Sequence, residues 1–108
     1  MHADYEDSVL ELPSDEEPTP YNLFKHALLV IKGRWPEAEP FIMEDPRYAC
    51  YYAQDVIKGR WPEAEPIIMK DPKCACWYAL NVIVDRWPEA EPTIRKNLQK
   101  WRDYSFLL

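Results

Sequence analysis

The seven residues Arg34-Trp35-Pro36-Glu37-Ala38-Glu39-Pro40 return unchanged at Arg60–Pro66 and again at Arg86–Pro92, each copy 26 residues after the last. The register runs well beyond that string. Pro20, Pro46 and Pro72 share it, as do Ala27, Ala53 and Ala79, the Val-Ile pairs at 30, 56 and 82, and Ile42, Ile68 and Ile94. Self-similarity at a fixed period marks a repeat architecture, in which one supersecondary unit cannot bury its apolar face alone and stacks on its neighbours. The chain thus divides into units at about 20–45, 46–71 and 72–96, a partial C-terminal capping unit at 97–108, and an acidic, flexible tail at 1–19.

Each unit reads as two helices. Asp45-Pro46 and Asp71-Pro72 supply a capping acceptor followed by proline at the first helical position, where its missing N–H costs nothing. Along this helix A, Ala49, Tyr52, Ala53, Val56 and Ile57 form one apolar stripe of helical period. Gly33 and Gly59 suit a left-handed C-cap, and Asp85 fills that slot in the third unit at an expected strain. Helix B opens at Pro36, Pro62 and Pro88 with glutamates in its first turn, where the helix dipole favours them. Pro40, Pro66 and Pro92 follow about a turn later, so an irregular first turn is expected. The fold class that follows is all-α, a short α-solenoid of about three and a half helical hairpins.

The Trp-Pro-Glu-Ala-Glu-Pro string and the Asp-Pro-x-x-Ala start of helix A resemble the short helical repeats of uncharacterised bacteriophage and large-virus proteins. The resemblance covers roughly residues 20–108. It implies a viral origin and carries no established activity.

The net charge of −6 belongs to one segment. Residues 1–19 hold seven acids and no Lys or Arg, leaving twelve acids against all thirteen bases, so the body sits near +1. Neither sign dominates it, which argues against a nucleic-acid partner. No apolar run approaches the ~20 residues of a membrane span, and Met1–Pro20 lacks the pattern of a signal peptide. The expected location is cytoplasmic, in the host cell if the protein is viral. Three cysteines without an export signal read as reduced thiols.

Candidate chemistry is sparse. Glu37 and Glu39 are two apart on a helix and diverge, so an Arg–Glu ladder explains them better than a catalytic carboxylate pair. Cys74 and Cys76 diverge for the same reason, and with Cys50 and His26 they lack the paired spacing of a zinc site. Cys50 and Cys76 occupy the slot of Phe24, as small apolar fillers, and His26 stands where later units have Tyr52, Tyr78 and Tyr104. Three serines and two glycines build neither a nucleophilic triad nor a phosphate loop. No enzyme, metal or cofactor is expected.

The informative positions vary between units. On a helical wheel Tyr48, Tyr51 and Asp55 fall together, away from the buried stripe, and their copies are Cys74, Trp77 and Asn81. Stacking aligns Lys25, Tyr51, Trp77 and Asp103 into a row, two aromatics flanked by opposite charges. Exposed aromatics mark binding surfaces, so Lys25, Tyr48, Tyr51, Asp55, Trp77 and Asn81 are the candidate partner-binding residues. The bland alternative is a rim covered by the tail, which mixes its acids with Tyr5, Val9, Leu10 and Leu12. Phe24, Leu28 and Leu29 add apolar surface to the first unit, where a terminal repeat should be polar. The expected function is a protein-binding adaptor or inhibitor. The alternative is an assembly protein that associates with further copies through its terminal repeats.

Overall fold

The structure, a computed structural model, describes residues 17–108. The tail expected at 1–19 lies outside the described residues but for its last three.

Every regular element among the described residues is helical. Helix A recurs as α1 (Pro20–His26), α3 (Pro46–Tyr52), α5 (Pro72–Tyr78) and α7 (Leu98–Tyr104); helix B recurs as α2 (Glu39–Ile42), α4 (Glu65–Ile68) and α6 (Glu91–Ile94). The caps are those the sequence supplies. Asp45 accepts from the Arg47 N–H at 2.9 Å and Asp71 from the Lys73 N–H at 2.9 Å. Thr19 and Asn97 do the same work for α1 and α7, accepting from the Asn22 and Lys100 N–H groups. Helix B opens with a tight turn, 3-10 at Pro36–Ala38 and Pro88–Ala90, because the second proline denies it a regular start.

The end of helix A departs from expectation. After seven α-helical residues the chain widens into a five-residue π turn at Ala27–Ile31, Ala53–Ile57 and Ala79–Ile83. Each turn closes when the N–H of Lys32, Lys58 or Val84 reaches the carbonyl five residues back, at 2.7 to 2.8 Å. The chain reverses hand at that residue, so the left-handed positions are Lys32, Lys58 and Val84, with φ of 61°, 64° and 57°. Gly33, Gly59 and Asp85 sit one residue too late to be the left-handed cap. Neither glycine has positive φ, and a Cβ on either would meet open space. The strain expected at Asp85 falls instead on Val84, a β-branched residue in a region that such side chains avoid.

Equivalent helices pack on one another, α1 on α3, α3 on α5 and α5 on α7, with helix B alongside. The chain spans 52 × 20 × 20 Å. The core repeats with it: Trp61 and Trp87 are about 1 % exposed, and Tyr52, Tyr78, Tyr104, Ile42, Ile68 and Ile94 are wholly buried. Within the expected stripe Ala49, Tyr52 and Ala53 are buried, whereas Val56 and Ile57 lie in the π turn and are half-buried. Phe24 is not apolar surface. It is 8 % exposed and packs its ring against Tyr48 and Tyr51, both at 6.2 Å. Leu29 does remain exposed, at 60 %.

One joint, made three times, ties each unit to the next. Arg34 grips Glu39 through two hydrogen bonds of 2.9 and 3.0 Å, and Arg60–Glu65 and Arg86–Glu91 repeat the pair. The buried tyrosine of the following helix A completes it. Tyr52 accepts from the Trp35 backbone N–H at 2.7 Å and donates to Glu39 at 2.8 Å. Tyr78 bridges Trp61 and Glu65 in the same way, and Tyr104 bridges Trp87 and Glu91. The ring of Tyr52 also lies 4.9 Å from Trp61 of its own unit, and Tyr78 lies 5.0 Å from Trp87. His26, in the slot that later units fill with tyrosine, packs on Trp35 at 5.2 Å. The Trp61 indole N–H is buried with no acceptor among the described residues.

These bonds set the acidity of the joint. Burial works to raise the Glu65 carboxyl, but the bonds from Arg60 and Tyr78 outweigh it and hold it below the usual carboxylate range. The bond from Tyr104, helped by Arg86, does the same for Glu91 against burial. Burial, then the adjoining carboxylate, raises the phenols of Tyr52, Tyr78 and Tyr104.

Candidate functional site

The helix A side carries a continuous aromatic row. Ring centroids run from Tyr21 to Tyr48 at 5.6 Å, from Tyr48 to Tyr51 at 5.9 Å, and from Tyr51 to Trp77 at 5.4 Å, the last pair meeting edge to face. Rings at these separations gain from quadrupole geometry as well as from burial. The row crosses three units because α1, α3 and α5 stack in register, so each unit contributes rings to the same strip of surface.

Its members are not equally outward. Tyr21 and Tyr51 are 48 % and 40 % exposed, whereas Tyr48 and Trp77 are half-buried against the core, and Cys74 is buried at 7 %. The wheel placed Tyr48 and Cys74 on the free face. They occupy the slot that meets the preceding helix A: Tyr48 lies against Tyr21 and Phe24, and the Cys74 carbonyl lies 3.5 Å from the Cys50 sulfur. The other candidates separate. Lys25 lies over the Tyr21 ring at 5.4 Å. The Asn81 amide turns back on the Trp77 carbonyl at 2.9 Å. Asp55 stands at the far end of the helix, in a separate hollow of about 280 Å³ with Lys32 and Lys58.

Beside Tyr51 and Trp77 opens a cleft of about 360 Å³ that spans α3, α5 and α7. Cys50, Cys74, Cys76 and Leu80 join the two rings in its floor, and Arg47, Lys73, Lys100 and Asp103 form its rim. Sequence reasoning did not select Leu80 or the three cations. The signal was available, since Arg47 and Lys73 are equivalent second residues of helix A, yet single charges on an exposed helix start carry no pattern of their own.

The cysteines are packing residues. All three are free and buried, and Cys76 points its sulfur at the Lys100 carbonyl at 3.4 Å. Burial raises the Cys76 thiol, which lowers its reactivity at neutral pH. Among the described residues no group of three or more His, Cys, Asp or Glu side chains could hold a metal ion, and no helix is long and apolar enough to cross a membrane. Comparison with protein-family models, with curated proteins and with solved structures finds no match to this chain.

Proposed function

We propose that the protein is a non-enzymatic protein-binding module whose contact surface is the helix A side of its stacked units. The observation that carries this reading is the unbroken aromatic row from Tyr21 to Trp77, part exposed and adjoining an apolar cleft. Aromatic side chains that keep one edge in water dominate protein interfaces, because they bury large area at low entropic cost. The resemblance to viral repeat proteins favours an adaptor or inhibitor directed at a host protein in the cytoplasm.

The half-burial of Trp77 decides how to test this. Its removal also disturbs the core, so the exposed positions Tyr51 and Asn81 are the better probes. The double variant Tyr51→Ala/Asn81→Arg should keep its melting temperature within a few degrees and lose affinity for a captured protein partner by at least about tenfold. Full affinity in that variant removes this face from consideration.

A second reading, self-assembly through the ends, draws on the exposed apolar termini. Leu29 and Val30 are 60 % and 63 % exposed at one end, and Leu98 and Phe106 are 81 % and 86 % exposed at the other. Sedimentation over a wide concentration range separates the two: growth with concentration supports assembly, and a constant monomer mass supports a foreign partner.

A further inference from the structure

The rim of the cleft is ordered. Arg47 is the second residue of α3, Lys73 the second of α5 and Lys100 the third of α7, so the three cations lie along the edge formed by the starts of stacked helices. Asp103 is the one acid on the rim, and it lies 3.7 Å from Lys100; Arg47 is shared with Asp45 at 2.8 Å. Lys73 has no carboxylate within ion-pair distance among the described residues. On the helix B side Glu37, Glu63 and Glu89 are exposed, and so are Arg34, Arg60 and Arg86. Lys73 is thus the cation of this edge that an acidic ligand can meet without displacing a carboxylate, Asp71 being engaged in capping the start of α5.

That edge is also where the described chain begins. Thr19 caps the start of α1, in register with Asp45 at the start of α3 and Asp71 at the start of α5. The residues before it have the composition that the cleft selects: seven acids and no base within residues 1–19, interleaved with Tyr5, Val9, Leu10 and Leu12. Reach is no obstacle. Two helix spacings separate α1 from α5, roughly 20 Å, and sixteen extended residues cover about 50 Å.

We propose that the acidic segment 1–16 binds in cis to the cleft of Tyr51, Trp77 and Leu80, held by the Arg47–Lys73–Lys100 edge, and that an external partner must displace it. This deepens the reading of the helix A side as a docking face by giving that face a built-in competitor. Apolar residues of the segment meet the rings while its carboxylates answer the cations, so the contact weakens with salt.

The test needs no external partner. In the full-length chain the substitution Ser8→Cys adds an accessible thiol for a nitroxide label, the three native cysteines being buried. At low ionic strength the label should broaden NMR signals of the Trp77 indole, the Leu80 methyls and the Lys73 amide, and spare those of Trp35 and Glu37. The broadening should disappear in about 1 M salt, where the screening length is about 3 Å, and in the double variant Arg47→Glu/Lys73→Glu. Broadening that is absent, indifferent to both salt and charge reversal, or concentrated at the Leu29–Ile31 end overturns the proposal. So does broadening seen only between labelled and unlabelled copies, which would make the occupant the tail of a second molecule. Failure here leaves the affinity loss expected of Tyr51→Ala/Asn81→Arg unchanged, so the two readings fall separately.

Discussion

The joint between units and the face of helix A are built from neighbouring positions of the same repeat, yet they behave as opposites. The joint keeps Arg, Trp, Glu and Tyr in every copy and repeats their bonds; the backbone N–H groups of Trp35, Trp61 and Trp87 each donate to the next tyrosine at 2.7 Å. The face changes at each step, with Lys25, Tyr51, Trp77 and Asp103 in one slot. Within a single chain, sameness reports what stacking demands, because each copy meets an equivalent neighbour. Variation on the exposed side reports where stacking demands less and composition is free for another purpose.

Breaking the joint should cost far more than altering the face. The largest effect is expected from Trp61→Ala, which empties a site about 1 % exposed between two units. Cavity formation there should remove about 3–5 kcal/mol, enough to unfold a domain of this size. A melting temperature within a degree or two of the parent would make the tryptophans surface features after all. Next comes Tyr78→Phe, which keeps the ring and strips two bonds, leaving the buried Trp61 backbone N–H without its acceptor. A loss of about 2–3 kcal/mol in chemical denaturation is expected, and a near-neutral result would show that packing alone holds the units together.

Titration probes the same joint more gently. Glu65 and Glu91 are depressed below 4.5 in the fold, so the stability they confer is complete above that value and drains away as pH falls through their folded values. The buried tyrosines are raised above 10.0, so their contribution is complete below that value and is lost as pH climbs towards their folded values. Denaturation midpoints should be level between about pH 5 and 8.5 and fall on both sides, the buried Cys76 thiol, raised above 9.0, joining the tyrosines on the alkaline side. A decline centred near neutrality would place the sensitive group elsewhere. The smallest effect, and the only gain, is expected at Val84, where Asn accepts a φ of 57° more readily than valine. Val84→Asn should stabilise by about 1 kcal/mol, and any loss would mean that the side chain, 68 % exposed, packs to more advantage than its strain costs.

What the sequence revealed was what repeats. The all-α class and the capping residues follow from a fixed period together with proline chemistry, both of which are local. The π turn left no such trace: Ala-x-x-Val-Ile reads as ordinary helix, and the glycines drew attention to a position one residue late. The tyrosine of the joint was legible only as a recurrent slot. Its partners lie 17 and 13 residues away, and which oxygen it would face depends on how neighbouring units rotate against one another. The same dependence misplaced Tyr48 and Cys74. A helical wheel treats each helix as isolated, whereas the preceding helix A covers exactly one flank of the next.

The joint also has a direction. Each tyrosine closes the unit that precedes it, so a ribosome delivering this chain from its N-terminus releases every unit unfinished. Trp35, Trp61 and Trp87 must each wait for a hydroxyl made 17 residues later. The chain should therefore consolidate in steps that trail synthesis by most of one repeat, each set by the tyrosine of the unit that follows.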